Sequence, residues 1–179
     1  MPTFASASAL PSTPSLRRRM AAFIYEGLLL FGIGLIPGAI GAVFVAVSSS
    51  PHPPPHDATL RVITFVIYAI YFTSYWSGRG QTLPMQTWHI RVVTLAGEPL
   101  TMARALLRFF ASCAWFAPAV LLSAWNGWMR WQGLAAVAVG VIAYAMLALA
   151  HPRRQFWHDA ICGTKLVTEH GSAKDARRA

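Results

Sequence analysis

Glu26 sits inside an otherwise apolar run from Met20 to Val47. A carboxylate in hydrocarbon is costly unless it faces a protein interior or a watery cavity with a partner. Arg19 lies seven residues earlier, and seven residues return a helix nearly to its starting angle, so both side chains belong to one face. Their separation along the axis is about 10 Å by helix rise, which is long for a direct ion pair. His158 and Asp159 follow the last apolar run and are placed to close the cluster from the same side of the membrane. Arg19, Glu26, His158 and Asp159 therefore form a candidate polar cluster, open to two readings. It is either a fixed polar staple between the first helix and the tail, or a relay for protons or cations.

Other pairings offer less chemistry. His52 and His56 are four apart, but Pro53, Pro54 and Pro55 between them exclude the helix that would turn both toward one metal. His151 and His158 lack a third ligand. Cys113 has no histidine in its own apolar run and Ser112 has no neighbouring base, so a nucleophile paired with a base is missing. The two cysteines give neither a disulfide framework nor a zinc-type spacing. No metal, no cofactor and no enzymatic activity are expected.

The elements that must position the cluster follow from composition. Of the 179 residues 55% are apolar and only 12% charged, against about 25% charged in soluble domains. The net charge of +9 does not indicate nucleic acid, because the basic residues lie between apolar runs rather than on a polar surface. Four runs are long enough to cross a bilayer: Met20 to Val47, Leu60 to Trp76, Leu106 to Ala124 and Gly133 to Ala150. The first follows Arg17, Arg18 and Arg19, yet it far exceeds the roughly 7 to 15 apolar residues of a signal peptide, so it is read as a retained helix. Pro118 predicts a kink in the third. Tyr75 and Trp76 end the second at a membrane interface, and Trp125, Trp128 and Trp131 form an amphipathic turn at another.

Gly27, Gly34, Gly38 and Gly41 fall on one narrow stripe of the first helix, where a second helix can approach closely. The proline-rich segment from Ser48 to Asp57 is an outer loop. Between the second and third runs, Ile90 and Val92 alternate with His89, Arg91 and Val93, and Ala96, Gly97, Glu98 and Pro99 supply turn residues. Thr101 is the candidate cap of the third helix. Lys165 to Thr168 is a second β-type run, and its unpaired backbone calls for a partner strand, expected at Ile90 to Val93. The fold class is an all-α membrane protein of four transmembrane helices, with a small two-stranded β element on the cytoplasmic face. Residues 1–16 form a loose tail, 17–168 the membrane domain and 169–179 a basic tail. The partners are the lipid bilayer and a second copy or another membrane protein, with no nucleic acid.

Four ordered pieces carry a family resemblance: Arg18 to Glu26, Gly80-Gln81-Thr82-Leu83, Ile90-Arg91-Val92-Val93, and Phe156 to Val167 with its Trp157-His158-Asp159. Together they resemble the RDD family of bacterial membrane proteins. The resemblance implies that Arg19 is the family arginine, that Glu26 stands in place of the first aspartate, and that Asp159 is the second. Glu26 keeps the charge on a longer side chain, Pro84 replaces a usual glycine, and His89 replaces a residue that is often basic. Some members of the family are linked to sodium or proton antiport. The resemblance thus implies a transport-related protein, either an ion- or proton-coupled transporter or a subunit of one. The alternative is a non-catalytic accessory or assembly protein.

With the amino end in the cytoplasm, 13 of the 15 basic residues fall on inner segments, leaving Arg61 and Arg130 outside. By the positive-inside rule both termini are expected in the cytoplasm, and the resemblance implies the bacterial inner membrane. A reporter enzyme active only outside the cytoplasm is expected to work when fused after His56 or Trp128 and to fail after Ala96 or Ala179. Activity at Ala179 would refute this topology.

Overall fold

The computed structural model describes residues 12–47, 56–128, 130–150 and 155–169. Among the described residues there are seven helices, α1 (Leu16–Val47), α2 (His56–Gly78), α3 (Leu83–Thr87), α4 (Met102–Ala114), α5 (Ala117–Trp125), α6 (Arg130–Ala150) and α7 (Trp157–Ile161), and two strands, β1 (Ile90–Thr94) and β2 (Thr164–Thr168). α1 and α6 are each long and apolar enough to cross a membrane, over Leu16–Val43 and Trp131–Leu149. α4 and α5 together make a third span if the bent pair is counted as one. The protein is a membrane protein with its apolar residues turned outward: Ile24, Leu28, Phe31, Leu35 and Ile40 of α1 are all more than half exposed. Water would penalise such a surface, and lipid does not.

α4 and α5 occupy the third apolar run, and the kink expected at Pro118 is a break with a bend of 41°. Pro118 lies in the first turn of α5, and its ring would collide with the carbonyl four residues back, that of Ala114, which is where α4 ends. Thr101 caps α4 as expected, its hydroxyl accepting from the Arg104 N–H at 3.3 Å. α2 begins at His56, inside the segment read as an outer loop, because a first helical turn needs neither apolar residues nor intrahelical acceptors for its N–H groups. The rest of that loop, residues 48–55 with His52, lies outside the described residues, as do His151, residues 1–11 and residues 170–179. Ser12 and Thr13, within the segment read as a loose tail, are bonded to the sheet end: the Thr168 N–H donates to the Ser12 carbonyl at 2.8 Å and the Gln155 amide to the Thr13 hydroxyl at 3.3 Å.

The core sits at one end of the bundle, around the sheet. β1 and β2 pair antiparallel, with Ile90 opposite Thr168, Val92 opposite Leu166 and Thr94 opposite Thr164. Ile90, Val92 and Leu166 pack with Ala22 of α1, Trp76 of α2, Met85 of α3 and Ala105 and Phe109 of α4. Trp76 is therefore a core residue, not the interfacial aromatic expected from its place at the end of an apolar run. The turn after β1 uses Gly97 at φ +92°, and the Thr94 hydroxyl and carbonyl accept from Glu98 and Gly97. α3 and α7 have no counterpart in the sequence reading, since five residues are too few to show a helical period. The turn expected from Trp125 to Trp131 is not one helix: α5 ends at Trp125 and Gly127 takes a positive φ of +59°.

Two cysteines placed at Val93 and Lys165, with Cys113 and Cys162 replaced by alanine, are expected to cross-link on mild oxidation, because these residues face each other across the ladder. The pair Val93 and Val167, one pleat repeat out of register, is expected to remain reduced. The reverse outcome on non-reducing gels would overturn the register.

Candidate functional site

Two buried carboxylates lie near the sheet end, and each is satisfied differently. Glu26, 8% exposed on α1, accepts from the Tyr71 hydroxyl of α2 at 2.7 Å on Oε1 and from the Thr82 hydroxyl at 2.5 Å on Oε2. Thr82 is also the N-cap of α3, its hydroxyl accepting from the Met85 N–H. One hydroxyl thus starts α3 and fastens it to α1. The local sequence makes this geometry available. Gly80 takes φ +70°, and a Cβ there would come within 2.8 Å of the Val92 carbonyl, so only glycine lets its own carbonyl accept from the Val92 N–H at 2.8 Å. Gln81 then reaches the sheet, donating to the Ile90 carbonyl at 2.9 Å and to Glu169 at 2.6 Å.

Asp159 of α7 is fully buried and is matched by a full cation. Arg108 of α4 donates to its Oδ1 from Nε at 2.8 Å and lies against it with Nη2 at 2.7 Å, while the Thr164 hydroxyl donates at 3.1 Å. The Arg108 guanidinium is stacked 4.1 Å above the Trp76 ring. Burial by itself would raise the Asp159 pKa, but the Arg108 charge and the hydrogen bonds outweigh it and hold the carboxyl below its usual range. His158 is in contact with the Tyr144 hydroxyl through Nδ1 at 2.6 Å and has Nε2 at 3.6 Å from Asp159. Burial pushes its pKa down to about 4, against the opposing pull of Asp159. The ring is neutral at pH 7, and with Nδ1 accepting from Tyr144 its hydrogen is assigned to Nε2, facing Asp159.

Arg19, 4% exposed, stacks 4.8 Å above the Phe156 ring. Its Nε and Nη1 are buried without a hydrogen-bond acceptor among the described residues. The four residues expected to form one cluster are therefore split. Arg19, Glu26 and His158 line a single cavity of about 400 Å³, but Glu26 is bound to Tyr71 and Thr82, and Asp159 to Arg108. The physical reason is the rise of about 10 Å between Arg19 and Glu26 on one helix. Of the glycine stripe, Gly34 and Gly41 meet α2, where an added Cβ would come within 2.7 Å of the Tyr68 hydroxyl and 2.5 Å of Leu60, while Gly27 and Gly38 face open space.

Arg108, Tyr71, Thr82 and Tyr144 escaped the sequence reading. Arg108 enters the sequence reading only as one of the 13 basic residues on inner segments, yet it shares a stripe at spacing i, i+3, i+4 with buried Ala105 and Phe109. That period was visible. No group of three or more metal-ligating side chains occurs among the described residues.

Stability is expected to fall with acid in two windows. Between about pH 6.5 and 4 an unfolded His158 binds a proton that the folded one refuses, so stability declines as pH falls, at most by about 1.4 kcal/mol per pH unit. Asp159, with its folded pKa depressed, contributes stability that is present above its unfolded pKa and is lost at still lower pH. In thermal melts of detergent-solubilised protein, His158→Asn is expected to flatten the upper window and leave the lower one. An unchanged profile would overturn the assignment of His158.

The family model for the RDD family matches residues 13–163. No curated protein and no solved structure matches the chain. The matched range takes in Arg19, Glu26, the Gly80 to Thr82 loop and the buried Asp159, so the geometry above is that of the matched segment itself: the chain belongs to the RDD family.

Proposed function

We propose that the chain is a four-span inner-membrane protein with both termini in the cytoplasm that takes part in transport, as an ion- or proton-coupled transporter or a subunit of one. α2 supplies the fourth span, since 23 residues rise about 35 Å, more than the roughly 30 Å of bilayer hydrocarbon. The distribution of basic residues supports the orientation. Glu26 carries the transport reading: it is a carboxylate on the wall of a cavity within the helices, bonded by hydroxyl groups alone and touched by no cation among the described residues. A group so placed can exchange a proton or a small cation without first breaking an ion pair. Its neighbours in function are the bilayer and, through the exposed apolar face of α1, a second copy or another membrane protein. The reading needs no cofactor, metal or enzymatic step.

A second reading, an accessory or assembly protein, is favoured by one observation. Both Glu26 oxygens already accept a hydrogen bond, joining α1 to α2 and to the α3 cap as a staple would. Ion and pH-gradient flux in vesicles with purified protein, alongside Glu26→Gln, separates the two. Transport predicts gradient-driven flux in the natural protein that is lost in a still-folded variant. Absence of flux in the natural protein, with a lowered melting temperature in the variant, would establish the staple.

A further inference from the structure

The cavity that Arg19 and Glu26 border is elongated and graded in polarity. Its sheet end carries Arg19, Arg108 and His158, and away from that end it is lined by apolar side chains such as Leu30, Phe65 and Val137. Along α1 the lining runs from Arg19 to Leu30, about 16 Å by helix rise. The volume of about 400 Å³ is in the range of cavities that hold a small organic ligand, towards its lower end, with room for one hydrocarbon chain.

The pairing at the sheet end is uneven. Asp159 is taken up by Arg108, and Glu26, the other buried carboxylate, by Tyr71 and Thr82, so neither hydrogen-bonds to Arg19. Its Nε and Nη1 are more than nine-tenths shielded from solvent and have no acceptor among the described residues, and stacking on Phe156 satisfies no N–H. A buried charged donor left without an acceptor is costly, so the site favours whatever anion can reach it. Glu26 does not fill this need, since its oxygens are turned to Tyr71 and Thr82.

We propose that this cavity binds a long-chain carboxylate, its anionic group against Arg19 and its chain between α1, α2 and α6. The carboxylate finds there a desolvated cation that the bilayer interior does not offer, and the chain finds an apolar wall that costs it nothing relative to lipid. The site does not depend on whether the protein transports.

Trp76 and Trp115 line the cavity, so a 9,10-dibromostearate probe bound there should quench their fluorescence. In detergent-solubilised full chain, quenching is expected to be saturable and to be competed by oleate. Arg19→Gln is expected to weaken it at least tenfold, and Arg19→Lys, which keeps the charge, much less. Val137→Phe, which narrows the apolar part and leaves Arg19 intact, should weaken it as well. If Arg19→Gln does not fold, Val137→Phe and the comparison of the brominated acid with its methyl ester decide the matter. Equal affinity for acid and ester, unchanged binding in a folded Arg19→Gln, or competition by acetate as strong as by oleate would overturn the proposal. The first two outcomes would leave Arg19 held only by the charge of Asp159, and the third would leave a site for a free anion only.

Discussion

A carboxylate removed entirely from water must be matched by a cation or give up its charge, and at Asp159 the match is Arg108. That pairing constrains four elements at once. Arg108 fixes the rotation of α4, Asp159 fixes α7 against it, Thr164 brings the start of β2 to the same oxygen, and His158 and Tyr144 bring in α6. Trp76 from α2 covers the guanidinium, which screens the pair from water and strengthens it. Breaking such a pair from one side typically costs about 3–5 kcal/mol because the partner charge stays buried. The sheet can form only where these helices place β1 and β2 side by side.

Glu26 obeys the same physics with a different solution. Two neutral donors stabilise a carboxylate less than a guanidinium does, so Glu26 is held in position without being locked by an opposite charge. The price of that arrangement is carried by backbone geometry nearby. Gly80 must accept a left-handed conformation so that Gln81 and Thr82 point in opposite directions, one to the sheet and one to Glu26. The extra methylene of Glu26 relative to aspartate lets a side chain on α1 reach both α2 and α3. The longer side chain is therefore compatible with a staple and with an exchangeable site alike.

Features that depend on local sequence could be read in advance. The two β segments were legible from branched residues on one side of the membrane, the α4 cap from Thr101, and the break near Pro118 from its missing N–H. The partners of the acidic residues were not legible, because side-chain pairing depends on which face each helix turns to its neighbour. A seven-residue separation correctly put Arg19 and Glu26 on one face, and both do border one cavity, yet it could not reveal that Tyr71 and Thr82 stand nearer to Glu26. Arg108 was hidden among the basic residues of the inner segments, although its period with Ala105 and Phe109 distinguishes it from exposed Arg104. α3 and α7 are held by capping and by tertiary contacts rather than by a pattern of their own.

The uneven distribution of contacts follows from the solvent. Between helices in lipid there is no hydrophobic gain to drive association, so specific geometry has to come from small residues, aromatic stacking and polar bonds. Here the polar bonds gather at the sheet end, and above it α1 packs on α2 through Gly34 and Gly41 while α6 packs on α5. Phe23 and Phe116, stacked with centroids 6.3 Å apart, are one bridge between the two halves. Nearer the sheet end α2 packs closely on α4 through Phe65, Phe72 and Phe109, and the space that remains lies where α1 and α2 face α5 and α6. The cavity is thus a consequence of how the bundle is tied together, and Arg19, whose Nε and Nη1 have no acceptor among the described residues, lies at the end where the ties are strongest.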